Sequence, residues 1–235
     1  MRGVRSYMKP IGANPNPHLI GLALLPSVLL AFTNGWYGPY LNAKSAVLFW
    51  AADAIQFLVI PVATVAFLIR YAGVRPQDYG LRAPEKHEST FEFIGITLFV
   101  IAIYWLLDGP CEKLILAIFG RPTAGALFVA ATPQTQPWHF LFVFYASVTA
   151  GLLEEPIYRA LPWLYLSRIG RAHVTIYCIG TSLVFGLIHW EQGLGPAIAA
   201  GVVGFGAAAL YPRIGNIWPF IIAHIASGFW NYRWL

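Results

Sequence analysis

Seven long apolar segments constrain the fold of this chain more than any other feature of its sequence. A helix needs about 20 mainly apolar residues to cross the roughly 30 Å hydrocarbon core of a bilayer, and each segment is about that long. The sequence therefore predicts an all-α protein, a polytopic bundle of about seven transmembrane helices. The expected spans are about 19–36, 46–71, 91–108, 138–166, 173–190, 194–211 and 217–234.

Residue composition supports a membrane protein and excludes other classes. Only 11% of the 235 residues are charged, whereas soluble domains carry about 25%. The formal net charge of +5 comes from basic residues scattered between apolar runs, which favours membrane topology signals over a nucleic-acid-binding patch. The two cysteines, Cys111 and Cys178, form neither a disulfide framework nor a zinc knuckle. We expect a single integral-membrane domain, 1–235, that contacts the lipid bilayer and no nucleic acid.

Basic residues also predict the orientation of the chain. With the N-terminus in the cytoplasm, ten Lys and Arg fall in inner segments and four in outer ones, as the positive-inside rule requires. This count holds only if 109–137 does not cross the membrane. Its two apolar runs, LILAIF and GALFVAA, are each too short to do so. We therefore expect an interfacial or re-entrant segment there.

Three charged residues, Glu154, Glu155 and Arg159, stand inside the fourth apolar segment. A charge at the centre of a membrane helix costs about 2.5–3.5 kcal/mol on insertion scales, so it needs compensation. Glu155 and Arg159 have the favourable order and spacing for an ion pair on one helix face. Glu154 lies about 100° round the helix without that cation, and is a natural general base or acid. Pro156 cannot donate to the carbonyl of Leu152, which predicts a loosened or kinked helix.

Two later apolar segments carry polar residues at helical spacing. Phe185 and His189 are four residues apart in the fifth segment, and His224 and Asn231 are seven apart in the last, so each pair shares a helix face. At 1.5 Å per residue, these three polar residues and Glu154 lie roughly 10–25 Å from the cytoplasmic side. One cavity near the membrane middle or its outer half could therefore hold all four.

Taken singly, these residues have plainer interpretations. A buried Glu–Arg pair can serve only to tie helices together. Histidines such as His189 and His224 are more often structural, and Asn231 near a helix end is more often interfacial. Glu191 at a helix end is expected to be solvated, with orientation of the neighbouring imidazole as the alternative. Asp53 in the second segment has no evident partner and is left unassigned.

In combination, the residues resemble the CAAX protease and bacteriocin-processing family of intramembrane proteases. The family pattern is E-E-x-x-x-R on one helix, F-x-x-x-H on a second and H-x-x-x-N/D on a third. The first two motifs are complete here. The third is partial, because Gly228 stands four residues after His224 and Asn231 lies almost one further turn away. The resemblance covers about 138–235, the expected catalytic core, with DYGLR at 78–82 as a weaker upstream feature.

The resemblance implies a glutamic endopeptidase that cleaves a membrane-anchored protein or peptide and uses no cofactor. Glu154 and His189 would activate a water, while His224 and Asn231 would stabilise the oxyanion. The supporting residues would be Glu155, Arg159 and Phe185. A zinc ion held by Glu154, His189 and His224 is the alternative to a metal-free mechanism. Prokaryotic relatives suggest the inner (cell) membrane as the location, with the N-terminus cytoplasmic.

Two other functional classes stay open from the sequence. Gly228 favours a non-catalytic family member that acts in immunity or as a membrane scaffold. A proton-coupled transporter could use Glu154, Glu155 and His189 as a proton relay. The absence of an internal sequence repeat argues against the transporter.

Overall fold

The computed structural model describes residues 16–83, 89–122, 132–170 and 173–232, and within these ranges the chain forms helices and short connections but no β-strand. Five of the helical segments are long and apolar enough to cross a membrane, and a sixth is apolar but shorter. The predicted all-α membrane bundle is confirmed. The segments are α1 (Pro17–Lys44), α2 (Ala46–Tyr71), α3 (Thr90–Phe119), α4 (Trp138–Arg168), α5 (Val174–Leu187), α6 (Leu194–Ile214) and α7 (Trp218–Tyr232).

The third helix runs farther than the sequence predicted. The expectation of an interfacial segment at 109–137 was wrong for 109–119, which continue α3. Pro110 lacks an N–H, yet it lies within a π-helical turn, Leu107–Cys111, whose wider hydrogen-bond spacing carries the helix past it. The extension buries Ile115 and packs against α6. The GALFVAA run lies outside the described residues.

Widened turns recur in the bundle, and each lies at or close to a proline. In α2 the π-helical turn Ile55–Val59 precedes Pro61. The fourth helix has two such turns, Ala150–Glu154 and Pro156–Ala160. Proline removes a backbone donor, so local widening is expected, and single π-helical turns are frequent at functional sites. The predicted loosening of α4 at Pro156 thus takes the form of two widened turns.

Close helix contacts fix the three motif-bearing helices. The sixth helix packs along α5, and α7 lies against α3 and α4. Glycines permit these approaches. A Cβ on Gly186 of α5 would lie 2.7 Å from the carbonyl oxygen of Ala197, and one on Gly151 of α4 would lie 2.8 Å from that of Ile221. Small residues at such contacts are the usual basis of tight packing between membrane helices.

Different hydrogen bonds join the connecting segments to the helices at the two ends of the bundle. At one end, the Ile217 N–H donates to the Gly80 carbonyl over 2.9 Å, and the Tyr211 hydroxyl donates to the Tyr79 carbonyl over 2.9 Å. The DYGLR segment therefore binds the connection between α6 and α7. At the other end, the Trp190 indole donates to the Phe32 carbonyl over 2.6 Å. That bond ties the turn between α5 and α6 to α1.

Candidate active site

A cavity of about 390 Å³ opens among the helices, and the predicted catalytic side chains all line it. They come from three separate helical regions of the chain, so the fold has brought together residues up to 77 positions apart in sequence. Phe185 also lines this cavity, whereas Glu155 and Arg159 are fully buried behind it. The cavity-lining catalytic candidates are Glu154, His189, His224 and Asn231.

Two consecutive glutamates in α4 face different surroundings. Glu154 ends the first π-helical turn, lines the cavity, and forms no hydrogen bond to a described residue. Glu155 stands between the two widened turns with its side chain wholly buried. Because a widened turn changes the angle between successive side chains, it helps to aim one carboxylate at the cavity and the other into the protein.

Glu155 is the centre of a buried polar network. Its Oε1 accepts a 2.7 Å hydrogen bond from His224 Nδ1 and a 2.9 Å bond from the Tyr104 hydroxyl. Its Oε2 lies 3.8 Å from Arg159 Nε. The predicted pair with Arg159 is therefore present as an ion pair without a hydrogen bond, and His224 and Tyr104 make the closer contacts. Tyr104, from α3, was not expected from the sequence.

Arg159 also contacts an aromatic ring. Its guanidinium carbon lies 4.0 Å from the centre of the Phe185 ring, a cation–π distance. Its side chain is fully buried, and its guanidinium nitrogens form no hydrogen bond within the described residues. The Phe185 ring also lies 4.9 Å from the His189 ring. Phe185 of the second motif therefore contacts Arg159 of the first motif as well as His189 of its own motif. The sequence predicted Phe185 as a supporting residue.

His189 is fixed in one tautomer by the backbone. Its Nδ1 lies 2.7 Å from the Phe185 carbonyl oxygen. A carbonyl can only accept, so Nδ1 carries the proton, and the neutral ring keeps Nε2 as an acceptor. The fifth helix ends at Leu187, which puts His189 in the following turn and not inside the helix. Because His189 follows Phe185 by four residues, its imidazole can reach the Phe185 carbonyl, one helical turn earlier in the chain.

His224 is oriented by a carboxylate instead. Glu155 is an acceptor at Nδ1, so His224 also carries its proton there and keeps Nε2 for other partners. A histidine backed by a carboxylate is held in one orientation, and its charged imidazolium form is stabilised. Glu155 of the first motif therefore orients His224 of the third motif through a direct hydrogen bond.

The partial third motif is tied to α3 through a serine. The Ser227 hydroxyl is hydrogen-bonded to Asp108, and the Asn231 amide lies 3.5 Å from the Ser227 oxygen. All three residues line the cavity. Asp108 and Ser227 were missed at the sequence level. A carboxylate at the end of an apolar run is by default a functional candidate, so Asp108 did carry a signal.

Gly228 has a packing explanation. A Cβ at this position would lie 2.8 Å from Ser147 Oγ and 3.0 Å from Ser147 Cα. The space that an Asn or Asp would need is occupied by α4. Gly228 is thus required by the close contact of α7 with α4, and this explanation is independent of catalysis.

Two further carboxylates that line the cavity, Asp53 and Glu191, differ in their partners. The Tyr145 hydroxyl donates to Asp53 Oδ2 over 2.7 Å, which gives Asp53 the contact it lacked on sequence grounds. Glu191 is half-buried and not fully solvated, and its Oε2 has no hydrogen-bond partner among the described residues.

The zinc alternative finds no assembled ligand set in the described parts of the chain. Within them, no group of three or more His, Cys, Asp or Glu is placed to hold a metal ion. Both histidines have Nδ1 committed, His189 to a carbonyl and His224 to Glu155. Metal dependence is therefore a question for experiment.

Comparison with known proteins finds a family match. Residues 136–230 match the family described as type II CAAX prenyl endopeptidase Rce1-like. No curated protein and no solved structure matches the chain. The matched part contains the first two motifs, His224 and Gly228, and it ends one residue before Asn231. The resemblance stated from the motifs is confirmed: over residues 136–230 the chain is similar to the Rce1-like type II CAAX prenyl endopeptidases.

Proposed function

We propose that this protein is an intramembrane endopeptidase that hydrolyses a peptide bond of a membrane-anchored protein or peptide with a water activated by Glu154 and His189. One observation carries the proposal. A carboxylate with no hydrogen bond to a described residue and an imidazole left with an acceptor nitrogen line the same cavity. Together they provide two acceptors for the two protons of one water. The family match supports the same reaction class.

In the proposed reaction, Glu154 removes a proton from the water as its oxygen bonds to the peptide carbonyl carbon. His189 accepts the second O–H as a hydrogen bond and so orients the water. The tetrahedral intermediate then collapses with cleavage of the C–N bond, and the proton on Glu154 passes to the leaving amine. The products are a carboxylic acid, which keeps the second proton of the water, and an amine, with no net change in the enzyme.

The oxyanion would be stabilised from α7. With Glu155 as its carboxylate partner, His224 can carry a proton on both ring nitrogens and donate from Nε2. The Asn231 amide, which Ser227 and Asp108 hold from the far side, supplies a second donor. Buried Arg159 offsets the charge of Glu155 and does not touch substrate.

We further propose that the cavity faces the outer half of a prokaryotic cell membrane. The positive-inside count places the N-terminus in the cytoplasm. In that orientation, the end of the bundle that carries Trp190 lies outside and the DYGLR segment lies inside. Reporter fusions at Lys86 should report the inside and those at Gln134 the outside. Both positions on one side would refute this orientation.

The decisive experiment compares wild-type protein with Glu154→Gln on membrane-anchored peptides, with cleavage read by mass spectrometry. Wild type should cleave and Glu154→Gln should not, since the amide cannot accept the proton. Glu92→Gln is the matched control, because Glu92 is exposed in the first turn of α3 and does not line the cavity. Normal cleavage by Glu154→Gln would refute the mechanism. Cleavage lost on strong chelation and restored by zinc would establish the metal alternative.

The comparison of wild type with Glu154→Gln also tests the two alternatives to a protease, the scaffold or immunity protein and the transporter. Gly228, which favoured a scaffold or immunity protein, is accounted for by its contact with Ser147. A transporter predicts proton-driven flux in vesicles that Glu154→Gln abolishes, with no peptide cleaved by either protein.

A further inference from the structure

One end of the cavity is built from hydrogen-bond acceptors. Asn34 lies in the second half of α1, Asp53 in the first half of α2, and Glu191 in the turn between α5 and α6. All three line the cavity, and Asn34 and Asp53 also share a small side cavity with Tyr37. Gly35 brings α1 against the turn, since a Cβ there would lie 2.6 Å from Glu191 Cβ. The three acceptor side chains therefore belong to one end of the cavity.

Among the described residues, these three side chains have fewer hydrogen-bond donors than their oxygens can accept. Asn34 is only 4% exposed, and its Oδ1 has no hydrogen-bond partner in the described part of the chain. The same holds for Glu191 Oε2, whereas the Glu191 carboxylate accepts hydrogen bonds from the neighbouring Gln192, including a 3.4 Å contact from its side-chain amide to Oε1. Asp53 accepts one bond, from Tyr145. Buried acceptors without partners are rare in native proteins and call for an explanation such as a missing ligand.

The charge around this end points to a cationic ligand. Five carboxyl groups line the cavity, and no Lys or Arg stands among its described lining residues. The buried guanidinium of Arg159 pairs with Glu155 and does not line it. Buried carboxylates are normally paired with cations. The acidic side chains concerned are Asp53, Asp108, Glu112, Glu154 and Glu191.

The spacing of the acceptors indicates which cation. No three of the described carboxyl, imidazole or thiol groups are placed to hold a metal ion, so a compact divalent cation has no ligand set here. An ammonium or guanidinium group offers several N–H donors on a flexible stem. Such a group can satisfy the Asn34 carbonyl and the Glu191 carboxylate without a coordination sphere.

We propose that the end of the cavity formed by Asn34, Asp53 and Glu191 is a specificity subsite for a lysine or arginine side chain of the substrate segment near the scissile bond. The subsite rests on the proposed proteolytic function, because Glu154 and His189 line the same cavity. It assigns a substrate class to the site: membrane-anchored peptides with a cationic residue.

The test uses two membrane-anchored peptides that differ only in one residue near the cleavage site, lysine or glutamine, with that position varied along the segment. We expect wild type to prefer the lysine peptide at least tenfold in kcat/KM at one position. Glu191→Gln and, independently, Asp53→Asn should reduce that preference at least threefold, and Glu92→Gln should not alter it. Equal kcat/KM for both peptides at every position would overturn the subsite while leaving proteolysis intact.

A binding measurement separates this proposal from the proposed function. The Glu154→Gln protein should bind the lysine peptide more tightly than the glutamine peptide, and Glu191→Gln added to it should remove the difference. If no peptide is ever cleaved, proteolysis fails, and equal binding of both peptides then overturns the subsite as well. Vesicles of phosphatidylglycerol or phosphatidylethanolamine distinguish the ammonium source. A preference lost in the ethanolamine lipid would assign the subsite to a lipid headgroup and refute a peptide side chain.

Discussion

The buried network around Glu155 and the cavity wall around Glu154 differ in how their polar groups are satisfied. Glu155 has His224, Tyr104 and Arg159 as partners. Glu154, the adjacent residue, has no hydrogen bond to any described group. Among the described residues, the Glu155 carboxylate already has three partners without substrate, whereas the Glu154 carboxylate is left to accept a hydrogen bond. We infer that the network positions groups and that the wall performs chemistry, and this division makes different predictions for the two regions.

The largest effect is expected on the cavity wall, at His189. Replacement by alanine removes the second acceptor for the water and should lower kcat by about 10²–10⁴-fold. The melting temperature in detergent should change little, because the ring's hydrogen bond in the described structure is to a single carbonyl. Steady-state kinetics and thermal unfolding would be measured on the same preparation. A stability loss as large as the activity loss would place His189 in the structural network instead.

Arg159→Ala lies in the network and should differ from His189→Ala, because it should lower stability as well as activity. It leaves the Glu155 carboxylate buried without its cation, which typically costs about 3–5 kcal/mol. The double variant Arg159→Met with Glu155→Gln removes both charges and should be more stable than Arg159→Ala. Denaturant unfolding would compare the three proteins. If Arg159→Ala is as stable as wild type, the ion pair has no structural role.

Tyr104→Phe tests whether the network positions His224. It removes one hydrogen bond to Glu155 and leaves the ring in place, so stability should fall by about 0.5–1.5 kcal/mol. If Glu155 positions His224, kcat should also fall while KM stays near the wild-type value. Tyr177→Phe is the matched control, because that hydroxyl donates to the Arg159 carbonyl and not to Glu155. Equal kinetics for the two variants would contradict a positioning role for Tyr104.

A further effect, on stability and not on turnover, is expected in the pH dependence at Glu191, which lies in a turn between helices. Burial raises the pKa of its carboxyl from 4.5 to about 7, with hydrogen bonds from Gln192 opposing the shift. Between these values the folded protein holds a proton that the unfolded chain has released, so stability falls as pH rises through this window. Glu191→Gln removes that loss.

The melting temperatures of wild type and Glu191→Gln would be compared without substrate at about pH 8 and about pH 5. The variant should be the more stable protein at the higher pH, and its advantage should shrink at the lower one. Asp53 and His189 line the same cavity and are unchanged in both proteins. An advantage independent of pH would show that the carboxyl does not titrate in this window.

Sequence reasoning located the helices well because long apolar runs leave few alternatives in a membrane. It ended α3 too early, since Asp108, Gly109 and Pro110 read as a helix terminus, while the chain passes them in a widened turn. It also found the motif residues that line the cavity, because helical spacing puts them on shared faces. Their roles are still predictions.

The hydrogen-bond partners of these residues could not be predicted from the spacing of residues in the sequence. Tyr104 meets Glu155 across 51 positions, and Tyr145 meets Asp53 across 92. A tyrosine in an apolar run carries no sign of which helix it will face. Glu155 was assigned to Arg159 by the i,i+4 rule of a regular α-helix, and the region around Pro156 is not regular. The rule found a true neighbour but not the closest one.

The widened turns of α4 make the active site depend on chain length as well as on residue identity. Each residue advances a regular helix by about 100°. The number of residues that precede a side chain therefore sets its direction around the helix axis. Loss of a single residue from Ala150–Glu154 would turn everything beyond it through that angle relative to the start of the helix. If the lost residue is one of 150–153, both glutamates would still be present, but Glu155 would take the direction that Glu154 now has and Glu154 would take that of Leu153.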